Sequence, residues 1–453
     1  MRFELTRDYL DALKAAIEQQ DEKLVKELTH ELHPADIAEI FDEINIEEAK
    51  NVYLHLDKEI AADLLIELEE DVRERFLSHL SGKEIASEFI DNMESDDAAD
   101  VIAELPEERQ EEVLSHISDV DQAGDIVDLL NYDEDTAGGL MATELIAVNE
   151  NLSVSTCMDE IRKQAADVDD VFFVYVIEDS GTLKGILPLK NLLLATGKTL
   201  VKNICDTDII SVKTDTKSDE VANIMEKYDL VALPVVDSIG RLKGRITIDD
   251  VVDVIKEEAE KDYQMISGIS SDVEASDTIF QLTRARIPWL LIGLVGGVLA
   301  ALVIGNFEHQ IGIYPEMAFF IPLITAMGGN VGIQSSSIIV QGLANNSLGL
   351  ETTSQKLLKE LSIALLNGLI CSGLVFVYNY AFSDSFAFTI TVSTALLTVI
   401  VFASLFGTFV PLFLNKFKID PALATGPFIT TTNDVIGLFI YFWIGNMFFS
   451  YFN

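Results

Sequence analysis

A single carboxylate sits where lipid should be the solvent. Asp434, within "TTTNDVIG" (430–437), lies inside an apolar stretch running from Phe428 through Phe439, Tyr441, Phe442 and Trp443 to Phe449. An ionised carboxylate at mid-bilayer costs at least ~2.5–3.5 kcal/mol, so such a residue faces water or a bound cation. No Lys or Arg lies deep in an apolar segment to pair with it. A second polar group interrupts another apolar stretch, "PLITAMGGNVGIQSSS" (322–337), which holds Gly328, Gly329, Asn330, Gln334 and three serines. Carboxylate, amide and hydroxyl oxygens suit the hard cations Mg2+, Ca2+ or Mn2+. Mg2+ dehydrates reluctantly, and Thr430, Thr431, Asn433 and Asp434 can serve as acceptors for its bound water.

The elements that must position these groups are five apolar segments, at about 287–306, 317–343, 357–382, 386–414 and 423–449. Each approaches the ~20 residues that cross a bilayer. An odd number puts the termini on opposite sides. Arg284 and Arg286, Lys356 and Lys359, and Lys416 and Lys418 precede the first, third and fifth segments, whereas the alternate connections carry no Lys or Arg. The positive-inside rule then places the N-terminal body in the cytoplasm and the C-terminus outside.

That body is a different kind of polymer. Of the net charge of −44, residues 288–453 contribute only 7 acidic and 4 basic groups, so residues 1–287 carry almost all the surplus. Such acidity excludes nucleic acid as a partner and favours solubility or cation binding. Cys157, Cys205 and Cys371 are odd in number and far apart, giving neither a disulfide framework nor a zinc site. "MRFELTRDYL" lacks the apolar core of a signal peptide. P-loop, GxSxG and HExxH patterns are absent, and no enzyme is expected.

Residues 1–132 read as an all-α solenoid, with apolar-acidic segments such as "AEIFDEI", "ADLLIEL" and "ADVIAEL" recurring roughly every 12 residues. His79 and His116 occupy equivalent repeat positions and read as structural. After the Gly-marked break "DEDTAGGLM" the pattern turns α/β, and "VYVIEDSGTLKGILPLKNLL" is echoed 59 residues later by "LPVVDSIGRLKGRITIDDVV". These copies resemble tandem cystathionine-beta-synthase (CBS) domains, expected at 138–200 and 201–255. The resemblance implies an adenine-nucleotide site, with ATP as the candidate, in which Thr247 and Asp250 match the ribose-contacting pattern; the first copy has Pro188 and Asn191 there instead. A carboxylate-studded amphipathic helix and linker follow at 256–284, then the five-helix transmembrane domain at 285–453.

Taken whole, this multidomain membrane protein resembles the bacterial MgtE magnesium channels, on the domain order together with "GGNVGIQ" and "TTTNDVIG". The resemblance implies a homodimer in the inner (plasma) membrane, with a Mg2+ pore along its two-fold axis. It assigns the fifth-span aspartate to Asp434 and further pore positions to Gly426, Thr430 and Asn330; some members have Asn where Gly426 stands. It assigns cytosolic Mg2+ sensing to Asp96 and Asp100 facing Asp250, to Asp229 and Asp253, and to Glu258 and Asp262, with Lys261 where some members have an acid. Two carboxylates about 4 Å apart repel by ~4 kcal/mol at an effective dielectric of 20. Bridging Mg2+ would relieve that repulsion and compact the body, closing the pore. The rival readings are a proton-coupled divalent cation exchanger, with Asp434 carrying the proton, and a membrane-tethered CBS nucleotide or ion sensor.

Overall fold

The computed structural model describes residues 3–165, 168, 171–270, 273, 277–344, 348–349, 352–383, 385–424 and 426–452. Parts of the expected linker, residues 271–272 and 274–276, lie outside the described residues. The chain forms two compact units, residues 1–256 and 257–453.

The first unit opens with ten helices: α1 (Arg7–Glu18), α2 (Glu22–Thr29), α3 (Pro34–Asp42), α4 (Ile46–Tyr53), α5 (Lys58–Glu67), α6 (Glu70–Leu77), α7 (Gly82–Glu88), α8 (Ser95–Ala103), α9 (Glu107–Leu114) and α10 (Val120–Leu129). Helices this short are marginal alone in water, so their stability comes from the apolar stripe each one buries. Asn45 and Ser81 start α4 and α7 with reciprocal caps to Glu48 and Glu84. Inside, the rings of Phe41, Tyr53, Phe76 and Phe89 interlock at centroid separations of 5.2–6.1 Å. His79 and His116 each turn Nδ1 back onto a carbonyl of their own helix, Arg75 O at 2.8 Å and Glu112 O at 2.9 Å. His55 closes on Asn51 O in the same way, at 2.6 Å, a structural role in all three.

Two similar α/β repeats follow: β1 (Ile146–Asn149), α11 (Val154–Gln164), β2 (Val174–Ile177), β3 (Leu183–Leu187) and α12 (Leu189–Leu194), then β4 (Val212–Lys213), α13 (Ser218–Tyr228), β5 (Ala232–Val236), β6 (Leu242–Thr247) and α14 (Ile248–Ile266). Each sheet has a parallel pair followed by an antiparallel hairpin. The hairpins break register at equivalent places, Val176/Ile177 and Val235/Val236, so the sequence echo is a structural duplication.

The cores divide differently from the sequence pattern. The first repeat has its own core, including Val148, Cys157, Val174 and Leu187. That of the second, including Val221, Met225, Val235 and Ile246, is continuous with the helical array. The break after residue 132 does not separate them, because Ala137 and Met141 bury into this shared core. Arg245 reinforces the joint: its side chain is 4 % exposed, Nη2 donates to both Glu94 oxygens at 2.6 and 2.9 Å, and Nε donates to Glu144 O at 2.8 Å. Removing one partner of a buried ion pair costs about 3 kcal/mol. Arg245→Ala is therefore expected to speed amide hydrogen exchange in α8 by roughly a hundredfold.

The second unit takes in the end of α14 from Glu257 onward, then α15 (Ile279–Asn306), α16 (Glu308–Ile313), α17 (Glu316–Ala344), α18 (Thr353–Phe382), α19 (Phe386–Lys416) and α20 (Pro427–Phe452). All but α16 are long and apolar enough to cross a membrane. At 1.5 Å per residue they reach ~40–46 Å, beyond the ~30 Å hydrocarbon layer. The first begins at Ile279, earlier than its apolar stretch, on a Thr278 cap with Gln281. Helices α17, α19 and α20 share a core of Ile324, Val392, Leu396, Val399, Leu438 and Tyr441. Leu290, Leu294, Leu366 and Leu374 of α15 and α18 point outward, as lipid-facing residues would.

Candidate cation site and acidic faces

Helix α20 carries Thr430 and Asp434 one turn apart, and both lie over Gly329 of α17. A Cβ at Gly329 would stand 3.0 Å from Thr430 Cγ2 and 3.9 Å from Asp434 Oδ1. The glycine thus admits the carboxylate close to the α17 backbone. Thr430 Oγ1 donates to Gly426 O at 3.0 Å, tying its hydroxyl hydrogen to the helix start and leaving the oxygen's lone pairs free. The sequence pattern groups Asn433 with these residues, but the helical turn of 100° per residue rotates it away. It is 1 % exposed, packs on Gly328 and Gly332, and neither amide atom finds a hydrogen-bond partner among the described residues. Asn330 stands on an exposed stripe of α17 with Ala326, Gln334 and Ile338. The structure therefore joins Asp434, Thr430 and Gly329, and leaves Asn330 outward.

At the start of α20, Gly426 has φ +56, and a Cβ there would strike the carbonyl oxygen of Ile266, the last residue of α14. Both the left-handed backbone and the close approach demand glycine. Pro427 packs beside Gly268, whose φ is +82. Burial, then the nearby charges of Asp420 and Glu258, raise the carboxyl of Asp262 above its usual range. Lys261 Nζ lies 3.6 Å from Glu258 Oε1, so it is engaged within its own helix.

The first unit gathers a second acidic face. Burial and then the charges of Asp97 and Asp250 hold the Asp96 carboxyl well above the usual range. Burial followed by Asp250, Asp100 and Glu94 pushes Asp97 up to about 7. Burial with Glu134 and Glu104 pushes Asp100 up to about 7 against the opposing Arg73, although Asp100 still reaches solvent. Asp250 rises to about 6 through burial, moderated by hydrogen bonds from Thr247. The Thr247–Asp250 pair is closed on itself: Oδ2 accepts from Thr247 N at 2.9 Å and from Thr247 Oγ1 at 2.8 Å. Its carboxylate also faces the acids of α8. In the first repeat Asn191 Nδ2 donates to Ile204 O at 2.8 Å.

Asp229 caps α13 with φ +51 and is exposed, as is Asp253 on α14; the structure gives neither a place in the Asp96 cluster. Among the described residues no three His, Cys, Asp or Glu side chains converge tightly enough to ligate a metal directly. Asp97, Glu94 and Asp420 join these faces although they are not among the expected site residues. The first was legible in "ESDDAAD", whereas Asp420 enters only through the fold.

Residues 321–444 match the divalent cation transporter family MgtE, residues 32–135 match the MgtE intracellular N domain, and residues 137–197 and 201–257 match CBS domains. The chain is 32 % identical over 437 residues to the magnesium transporter MgtE of Thermus thermophilus, covering 95 % of this chain and 96 % of that one. It is 30 % identical over 418 residues to the magnesium transporter MgtE of Bacillus subtilis, covering 92 % of each. Among solved structures it resembles the cytosolic domain of the Mg2+ channel MgtE in complex with ATP, at 33 % identity and a TM-score of 0.51 over 54 % of this chain and 99 % of that one. It also resembles the soluble part of a magnesium transporter, at 28 % identity and a TM-score of 0.50 over 56 % of this chain and 98 % of that one. With near full-length similarity, the expected order of domains and five helices able to span a bilayer, the chain belongs to the MgtE family of magnesium transporters.

Proposed function

We propose that two copies of this chain form a Mg2+ channel whose pore runs along their shared axis, with the acidic body in the cytoplasm and the C-terminus outside. The observation that carries the reading is the seating of Asp434 and Thr430 over Gly329, which brings an anionic oxygen and a hydroxyl to one helix face. Hydrated Mg2+ is the cargo such groups suit, since they can accept hydrogen bonds from its waters without replacing them. Asn330 and Gln334, on the open stripe of α17, are available to the same path once a second copy faces them.

Gating follows from the two acidic faces. Cytosolic Mg2+ bridging Asp96, Asp97, Asp100 and Asp250 would hold α8 against the second repeat, and Mg2+ between Asp262, Glu258 and Asp420 would hold the end of α14 at the start of α20. Asp229 and Asp253, exposed in one chain, are proposed to complete sites with a second chain. ATP, bound by the related cytosolic domain, is a candidate ligand of the CBS pair here. Any nucleotide using Asp250 must compete with its bonds to Thr247.

Gly426 tests the closure. Gly426→Ala adds a Cβ against the Ile266 carbonyl and strains the backbone, whereas Gly426→Asn adds the Cβ while tolerating positive φ. Both variants are expected to pass current in patches bathed in millimolar cytosolic Mg2+ that silences the parent protein. Normal silencing of both would remove the end of α14 from the gate.

A further inference from the structure

Outside the path just described, the second unit places another carboxylate, Glu360, in the second turn of α18, between α17 and α19. Ser335 of α17 donates to Glu360 Oε1 at 2.7 Å, Ser404 of α19 makes a short hydrogen bond to the same oxygen, and the two serine oxygens lie 3.0 Å apart. Both serines are buried, at 6 % and 2 % exposure. One carboxyl oxygen therefore gathers three helices at a single point.

The location gives this junction its consequence. Gly328, Gly329 and Gly332 expose the backbone of α17 to its neighbours: Gly332 presents its carbonyl to Gly407 of α19, and its Cα to Asn433 of α20. Side chains of the neighbours seat directly on this backbone, Val399 of α19 over Gly328 and Ile429 and Asn433 of α20 over Gly332, so the rotation of α17 sets all of these contacts at once. Ser335 follows Gly332 by less than one turn, so the carboxylate grips α17 beside this close backbone packing. Gly329, on the same helix, is the surface on which Asp434 and Thr430 sit.

We propose that Glu360 is a positioning residue for cation permeation: through Ser335 and Ser404 it fixes the rotation of α17 and α19, and so sets where the Gly329–Asn330 segment stands against Asp434. This role rests on the Mg2+-transport reading and deepens it. The carboxylate needs only to accept two hydrogen bonds, so an amide of the same length can substitute for it, whereas a truncated side chain cannot.

Purified full-length protein in liposomes, assayed for Mg2+ and Ca2+ flux, tests it. Glu360→Ala is expected to cut Mg2+ flux about tenfold and to lower the ratio of Mg2+ to Ca2+ flux, while Glu360→Gln stays within about threefold of the parent in flux. The Ser335→Ala/Ser404→Ala pair should reproduce Glu360→Ala, and combining all three should cost little more, as for residues acting as one unit. The flux ratio separates positioning from folding, because loss of folded protein lowers both fluxes together. An unchanged ratio in Glu360→Ala, or Glu360→Gln no better than Glu360→Ala, overturns the role. Asp434→Ala run in parallel distinguishes the two levels: a parent protein that carries no Mg2+ above this control overturns the transport reading itself.

Discussion

Asp434→Asn and Asp434→Ala are expected to abolish Mg2+ uptake, by at least ~100-fold, while both proteins reach the membrane in normal amount. The size follows from charge. A dication held one water away from a carboxylate, at about 5 Å, is attracted by several kcal/mol at an effective dielectric of 20, and each 1.4 kcal/mol is a factor of ten. Asparagine keeps the shape and still accepts a hydrogen bond from a bound water, so it isolates the charge from the packing over Gly329. Alanine removes both. Uptake of Mg2+ by a bacterial strain unable to import it, with surface labelling to confirm membrane insertion, reads the result. Near-parental uptake by the asparagine variant would remove Asp434 from the conduction path, and with it the main support for the pore.

How much of this was legible in the sequence depends on the kind of interaction. Asp434 declared itself because a lone carboxylate among Phe, Leu and Ile violates the cost of burying charge, and no tertiary information is needed to see the violation. The five spans and the duplicated α/β repeat were legible for the same reason, since hydropathy and a 59-residue echo are properties of one dimension. Asn433 was misplaced beside Asp434 because adjacency in sequence is a 100° turn on a helix. Glu360 was passed over because it lies beside Lys359 near a helix start, where charge is ordinary; only the fold brings Ser335 and Ser404 to it. The shared core of the helical array and the second repeat was hidden by a real composition break. At Gly426, where some members have Asn, the structure shows a positive φ and the Ile266 carbonyl in the space a Cβ would take, neither of which is visible in the sequence.

Acid should substitute for Mg2+ in holding the cytoplasmic face together, and the direction is fixed by linkage. In the packed face Asp97 and Asp100 titrate near 7 and Asp250 near 6, with Asp96 raised as well. Once released into water these groups return to about 3.9. The packed state therefore binds more protons than the released one between those values, and protons favour packing. Above about pH 7 the full repulsion opposes packing; the opposition fades as pH falls through 7 and 6, and has vanished near pH 4, where both states are protonated. A three-unit rise on Asp97 alone corresponds to ~4 kcal/mol before any allowance for solvent screening. The exposed Asp100 adds less. A few such groups approach the ~5.5 kcal/mol that moves a two-state equilibrium from 1:99 to 99:1. Full-length protein in detergent is thus expected to be cut readily by protease at pH 8 without Mg2+. At pH 8 with millimolar Mg2+, and at pH 6 without it, the same sites should be protected; Mg2+ binding at pH 7 should release protons, measurable from binding heats in buffers of different ionisation enthalpy. Combining Asp96→Asn, Asp97→Asn and Asp250→Asn removes the repulsion itself, so this variant should be protected at pH 8 with no Mg2+ at all. Cleavage that ignores pH between 8 and 5.5 in the parent protein would mean that the acidic face is not what Mg2+ neutralises, and that closure must originate at the Asp262–Asp420 end of the connecting helix.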